Sequence, residues 1–437
     1  MTHRYVRRAR MVLAAAVLTA FGGCNDALQV ENPKLIDETK LNDPKLVPVL
    51  MNSAVGELAA GYTEFVWFSA ILTDEAVNGT NDYRSGELSQ RIVELAQGNA
   101  GPYNTLQRFR ATADTMASRI KELVSSPTSD LRAARTLALA GYGYELMAEL
   151  MCASPVNLGP MESSAELSAT ALARFKEAIA VATAGKTGSA SNQAVADSIL
   201  NLARVGAART SLQLGNKADA ITYGSLVDPN FVWYVQYQAS PNTRLQNSLW
   251  SRVASANKQL GVHPLMQGLN DPRVRYHSPA ILGHNQLTKI SWPYVPRTFK
   301  EFKLADSTDI QQGSWVELAS GLEARYIVAE ASGPTASTAT LVAERRAFGR
   351  ETAVTLTGDA LMAELREQRR RDFYLSAKRL GDLRRYKAQG IGDFFPSGLH
   401  PNKEWGNYGK AECYIITQDE INANANVRSY VPPSTRP

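Results

Sequence analysis

Behind Asp130, whose carboxylate suits a helix N-cap, Ala133, Leu137, Ala140, Tyr144, Met147 and Met151 recur at spacings of three and four. That stripe is one face of a helix, and the other faces are scarcely more polar: Ala134, Ala138, Gly141 and Ala148 offer small surfaces there. A helix apolar on most sides must be enclosed by neighbours, so the chain has to build a layered helical array around it. The flanking sequence supplies the layers. Asp43 and Pro44 read as an N-cap with proline at the first helical position, and Val47, Leu50, Ala54 and Leu58 continue the period, with Pro48 delaying the regular helix by a turn. Tyr103 to Val124 is a second helix, ended by Ser125-Ser126-Pro127. After the central one come Leu167 to Ala184, a loop at Gly185 to Asn192, Gln193 to Leu214, a turn at Gly215-Asn216, and Lys217 to Leu226, stopped by Asp228-Pro229. Hairpins in series are a solenoid signature, and Gly206, Ala218 and Pro229 fall near the small-residue and proline positions of a tetratricopeptide unit, without its strict period of about 34 residues. The expected fold is mostly α, with tetratricopeptide-like hairpins.

From residue 230 to 312 the texture changes, because Pro241, Pro264, Pro272, Pro279, Pro293 and Pro296 interrupt helices among many Asn, Gln and aromatic residues. A stretch this long needs short elements of its own or a function. Helix is expected again over Trp315 to Ala331, around Thr338 to Phe348 and from Asp359 to Lys387, before a Gly, Pro and Asn rich tail from Ile391.

The N-terminus reads as an export signal. Arg4, Arg7, Arg8 and Arg10 precede an apolar run from Met11 to Phe21, then Gly22, Gly23 and Cys24. Phe21-Gly22-Gly23-Cys24 resembles a bacterial lipobox, in which small residues admit the peptidase and Cys24 takes the lipid; an ordinary signal peptide with an incidental cysteine is the alternative. The division expected is a signal peptide over 1–23, a polar tether over 24–43, and a single helical domain over 44–437 with 230–312 as its loop-rich region. The leader also explains the charge. Of 47 Lys and Arg against 42 Asp and Glu, four arginines belong to it, leaving a body of 43 basic and 42 acidic residues. Such a balance does not suit nucleic-acid binding. Export further leaves Cys152 and Cys413 in an oxidising compartment, where they pair or remain two buried thiols.

Chemistry is sparse. His263, His277, His284 and His400 have no zinc-ligand spacing, and neither a nucleophile elbow nor a dinucleotide fingerprint is present. Gly185-Lys186-Thr187 mimics the end of a phosphate-binding loop, but Ala180 stands where its first glycine belongs. Asp74, Glu75 and Asp82 cluster around Asn78-Gly79, and two acids suffice for glycoside hydrolysis. The same cluster lacks the calcium spacing of an EF-hand, so capping and turn formation are the expected jobs. No catalytic residue, metal or cofactor is assigned. The run from Arg366 to Arg385 carries seven arginines among Glu367, Asp372 and Asp382, which reads as a helix pair tied by Arg–carboxylate bonds. Aromatic residues remain: Trp67, Tyr83, Trp233, Tyr234, Trp292 and Tyr294 are the candidate ligand-stacking rings, since ring faces cover the apolar faces of sugars while neighbouring Asn, Gln and Asp bond hydroxyls.

The segment Gln368-Arg369-Arg370-Arg371-Asp372-Phe373, then Ser376-Ala377-Lys378-Arg379-Leu380-Gly381-Asp382-Leu383-Arg384-Arg385, resembles the arginine motif of the SusD/RagB family of outer-membrane nutrient-binding lipoproteins. Gln368, Asp372, Ser376 and Ala377 depart from the pattern, as in a divergent member. Glu323 to Ala331 is similar to the family's Leu-x-x-Ala-Glu-Ala helix, and Thr417 to Asn424 to its closing Pro-x-x-Glu-Ile-x-x-Asn segment, with Thr417 replacing the proline. Cys24, Asn32-Pro33 and Asp74-Glu75 also find counterparts. The resemblance implies a non-enzymatic binder of an oligosaccharide or peptide, with a loop-rich ligand face, a lipid anchor in the outer membrane facing the cell surface, and a SusC-like TonB-dependent transporter as partner. Two rivals are an exported tetratricopeptide-like scaffold for other proteins and a helical glycan-cleaving enzyme using Asp74 or Asp82.

Mass spectrometry of the mature chain should find Cys24 as its lipidated first residue, and Cys24→Ala should release a folded protein from the membrane. An unmodified Cys24, or cleavage elsewhere, would refute the lipobox.

Overall fold

A computed structural model describes residues 42–80, 82–95, 101–253, 258–283, 289–304 and 307–437. The signal segment, Cys24, the tether up to residue 41 and His284 lie outside the described residues. Residues 44–46 form a short 3-10 turn, and the compact unit comprises Val47–Pro437.

Its first half is built from α1 (Val47–Ile71), α2 (Tyr83–Ser89), α3 (Tyr103–Leu123), α4 (Leu131–Leu150), α5 (Ser164–Gly185), α6 (Ala190–Gln213) and α7 (Lys217–Ser225). Side chains account for most of the starts. Asp130 accepts the N–H groups of Arg132 and Ala133, Ser163 and Glu166 form a capping box, and Ser189 and Asn216 cap α6 and α7. As the apolar pattern requires, α4 is enclosed: every residue from Thr136 to Leu150 is buried, against α1, α3, α5 and α6. Two glycines permit the closest approach. Phe175 of α5 lies between Gly141 and Gly206, where a Cβ would come within 2.6 and 2.3 Å of its ring. Tyr142 meets the same ring edge-on at 5.0 Å, and burying Phe175 contributes roughly 2–3 kcal/mol.

The second half holds α8 (Ser248–Val253), α9 (Gly321–Ser332), α10 (Ala336–Phe348), α11 (Gly358–Asp372), α12 (Arg379–Ala388) and α13 (Gln418–Ala423). Strands are short and pair two by two, all antiparallel: β1 (Ala76–Asn78) with β5 (Leu260–Val262), β2 (Ala153–Pro155) with β3 (Met161–Ser163), β4 (Val232–Val235) with β8 (Val316–Ser320), and β6 (Ile281–Leu282) with β7 (Lys289–Ile290). Three expectations change here. Val316–Ser320 is a strand rather than the start of a helix, because it is buried throughout and finds β4 as a partner; α9 begins only after Ser320, whose hydroxyl accepts the Glu323 N–H at 3.2 Å. The helix expected from Asp359 to Lys387 breaks between Phe373 and Lys378, where Leu375 and Ala377 take φ of 53° and 60°. Glu75 accepts the Leu375 N–H at 2.9 Å, Tyr62 donates to the Ser376 carbonyl at 3.0 Å, and Thr298 donates to the Tyr374 carbonyl at 2.9 Å. Tertiary partners therefore replace the helical bonds and offset a left-handed cost of about 1–2 kcal/mol per residue. The tail, lastly, carries α13, and Thr417 serves as its N-cap by accepting the Glu420 N–H at 3.0 Å.

What binds α11 and α12 to the rest is a buried network of guanidinium and carboxylate groups. Asp372, fully enclosed, accepts two bonds from Arg345 at 2.9 and 2.7 Å and one from the Tyr326 hydroxyl at 2.6 Å, with Arg273 and Arg297 at 3.3 and 3.5 Å. Asp382 pairs with Arg369 and Arg385, and Arg385 reaches Glu330 of α9 at 3.0 Å. Arg384 donates to the carbonyls of Ala148, Glu149 and Met151, which the end of α4 leaves without helical partners. The tail is joined to the same place: Cys152 and Cys413 form a disulfide with Cα atoms 5.0 Å apart, beside bonds from Cys152 N–H to the Tyr414 carbonyl and from Tyr414 N–H to that of Leu150, each 2.8 Å.

Two measurements follow from this packing. Non-reducing peptide mapping of exported protein should recover the Cys152–Cys413 pair, and its reduction should cost roughly 2–5 kcal/mol of stability; two freely alkylating thiols would contradict it. The second concerns Glu75, whose carboxyl burial pushes up to about 8 against the one N–H bond from Leu375. Folded Glu75 keeps a proton that the unfolded chain gives up near its ordinary value, so its contribution is complete at low pH and lost as pH rises to about 8. Glu75→Gln should gain in urea midpoint, relative to the parent, between pH 5 and pH 8; a constant difference across that window would show that Glu75 does not titrate there.

Candidate functional site

The irregular region opens a cleft of about 620 Å³ whose lining is mainly polar. Its wall begins at Asn270, in a left-handed turn with φ 53°, and continues through Asp271, Arg275, Tyr276 and Ser278; Tyr294, Leu304, Ser307 and Arg350 close it from other parts of the chain. The wall stands on the arginine network. Asp271 accepts the backbone N–H of Arg273 at 2.9 Å and its Nε at 2.8 Å, while Arg273 also donates to Gln368 of α11 at 2.8 Å. Both Asp271 and Arg273 are buried, so the loop is pinned to a rigid helix.

From that anchor, residues 275–277 run antiparallel to 292–294. The Tyr294 N–H meets the Arg275 carbonyl at 3.0 Å and the His277 N–H meets that of Trp292 at 2.9 Å, with Tyr276 opposite Pro293. Cross-strand pairing sets the rings. His277 stacks on Trp292 with centroids 3.8 Å apart, and the indole N–H donates to Asp309 at 3.1 Å. Tyr276 accepts the Gly268 N–H at 2.7 Å through its hydroxyl, and Arg275 donates to the Lys303 carbonyl at 2.6 Å. Partial burial, with the Asp309 charge behind it, raises the Tyr294 phenol above its ordinary value, so it presents a neutral hydroxyl. The cleft thus offers two tyrosine rings, two guanidinium groups, an amide and two hydroxyls.

Of the six candidate rings, only Tyr294 lines this cleft, and Trp292 braces the strand that carries it. Trp67 is elsewhere: it is buried in α1, against Phe68 and beneath the Arg252 guanidinium at 4.1 Å, because the helical period turns it inward. It cannot stack on a ligand. Tyr83 is exposed at the start of α2, and Trp233 and Tyr234 are half-buried in β4, Trp233 against the core with Arg135 at 6.0 Å. Sequence reasoning did not single out Arg275, Tyr276, Asn270 or Arg350. The alternation of large polar and aromatic residues in Arg275-Tyr276-His277 is a usable signal for Arg275 and Tyr276; Asn270, and Arg350 on the turn after α10, have none.

The acidic residues have different duties. Asp74 is buried and clamped by Arg379 through two bonds at 2.7 and 2.8 Å and by Arg370 at 2.8 Å, and these guanidinium groups overcome burial to hold its carboxyl far below the usual range. The expectation of a turn or cap is thereby corrected for Asp74, which is an ion-pair partner. Asp82 does cap α2, accepting from Arg84 and Ser85 N–H groups. Held ionised by two guanidinium groups, Asp74 has no proton to give, and three N–H bonds take most of its lone-pair sites. Among the described residues no group of three or more His, Cys, Asp or Glu could hold a metal ion.

No family model and no curated protein matches the chain. Solved structures do. A SusD superfamily protein from Bacteroides vulgatus superposes with a TM-score of 0.62 at 12% identity, over 87% of this chain and 97% of the other. A SusD-like carbohydrate binding protein from the same organism gives 0.60 at 13%, over 90% and 98%. A laminarin binding SusD-like protein gives 0.58 at 13%, over 86% and 98%. The chain has the SusD-like fold, mostly helical with tetratricopeptide-like hairpins, and its structural neighbours are SusD/RagB-family proteins.

Proposed function

We propose that this protein is a lipid-anchored, surface-facing outer-membrane lipoprotein that captures an oligosaccharide in the cleft of Tyr276 and Tyr294 and passes it to a SusC-like TonB-dependent transporter. The observation that carries the reading is the cleft itself: on a SusD-like fold, a loop-rich surface gathers tyrosine rings beside guanidinium, amide and hydroxyl groups. Rings cover the flat apolar faces of a sugar, and the surrounding donors and acceptors replace water at its hydroxyls. Names of two neighbours, one carbohydrate binding and one laminarin binding, point the same way for those proteins. The lipobox at Cys24 supports the anchor.

Capture without cleavage is the second part of the proposal. Of the acids that suggested a hydrolase, Asp74 is committed to Arg379 and Arg370, and Asp82 to the start of α2. Delivery requires release, so an affinity in the micromolar to millimolar range is expected, about 4–8 kcal/mol of binding.

Calorimetric titration with soluble oligosaccharides and peptides should find a ligand whose binding falls by roughly 1–3 kcal/mol in Tyr294→Ala, with little change in melting temperature. Trp67→Ala should instead destabilise the fold by about 3–5 kcal/mol. Peptide binding alone would redirect the substrate class, and unaltered binding in Tyr294→Ala would place the site elsewhere. A mild-detergent pull-down should recover a β-barrel; recovery of only a soluble protein would favour the scaffold, and glycan turnover lost in Asp74→Asn would favour the enzyme.

A further inference from the structure

The arginines of α11 and α12 are almost all accounted for. Arg369, Arg370, Arg371, Arg379 and Arg385 face carboxylates, and Arg384 donates to carbonyls at the end of α4. Arg366 is the exception: among the described residues it has neither an ion pair nor a hydrogen bond. Two rings hold it instead, its guanidinium carbon lying 5.8 Å from the centroids of both Tyr386 and Phe394. Such contacts orient a cation without neutralising it.

Arg366 opens onto a cleft of about 110 Å³, lined also by Glu367, Arg370, Arg379, Tyr386 and Phe394. Two further donors on residues that line it lack an acceptor, the buried hydroxyl of Tyr386 and the Nε–H of Arg370. Buried donors left unpaired bear their full desolvation penalty, which an acceptor in the cleft would remove. Burial holds the Tyr386 phenol above its ordinary value, so it remains an O–H donor. The acids nearby are already committed, Glu367 to Arg370 and Arg371, and Asp74 to Arg379 and Arg370. What remains is one positive charge, two unpaired donors on the lining residues, and Phe394, 43% exposed, at the side.

We propose that this cleft is a binding site for a small free oxyanion of the phosphate or sulfate type, with Arg366 as its charge partner and the Tyr386 hydroxyl and Arg370 Nε–H as additional donors. The site is independent of the oligosaccharide reading, since none of its residues lines the larger cleft.

Calorimetric titration of the full chain with inorganic phosphate, sulfate and acetate, at ionic strength held constant with chloride, tests it. Saturable binding of phosphate or sulfate is expected, weakened about tenfold or more in Arg366→Gln and less severely in Tyr386→Phe, with Arg366→Lys retaining part of it. Arg366 supports no ion pair, so Arg366→Gln should lose only the two ring contacts and melt within about a few degrees of the parent. A response no greater than that of chloride, binding that both variants leave intact, or preference for acetate would each overturn the proposal.

Discussion

Asp372 is the point on which the second half of the molecule turns. A carboxylate with no exposure to water is tolerable only if cations and donors surround it, and here Arg345, Arg273, Arg297 and Tyr326 do so from four different segments. Because each partner comes from a different stretch of chain, satisfying one acid positions α9, α10, α11 and the irregular region together. Removing Asp372 would take the shared anion from three guanidinium groups at once. The network is thus less a source of net stability than a demand for one arrangement, and the loops that form the larger cleft inherit their rigidity from it through Asp271 and Arg273.

The two halves solve the same problem by different means. In the first, helices are enclosed largely by apolar packing, and small residues set the distances: Gly141 and Gly206 admit Phe175, while a buried pair, Glu149 with Arg209, ties α4 to α6. In the second, short strands and loops leave many backbone groups without regular partners. Side chains supply them, as Thr298 does for Tyr374 and Glu75 for Leu375. Irregular backbone held this firmly is suited to binding, since a ligand then meets groups already in place.

Cationic groups in the arginine helices consequently divide into two kinds. Those facing carboxylates, or backbone carbonyls in the case of Arg384, are consumed by the fold. Arg366, held only by rings, is not, and the distinction rests on what surrounds each side chain rather than on its type. The same distinction separates the aromatic residues, for Trp67 and Tyr294 are both large amphipathic rings, yet one is enclosed by α1 and its neighbours and the other borders the cleft.

From the residues alone came the helices that need only local reasons. Asp130 as a cap, the stripe from Ala133 to Met151, and the turn at Gly215-Asn216 depend on spacing and on hydrogen bonds within a few positions, and the structure has each of them. The resemblance carried by Arg379, Asp382 and Arg385 led to the SusD-like fold that the solved structures share. Tertiary structure decided the rest. Val316–Ser320 became a strand because β4 was there to pair with it, and the helix after Asp359 broke at Leu375 because Glu75, some 300 positions earlier, accepts its N–H. Asp74 exchanged a turn for an ion pair, and the cleft joined Tyr294 to Tyr276 and Arg350, for the same reason: partners distant in sequence meet only when the core closes, and no local period records which of them will arrive.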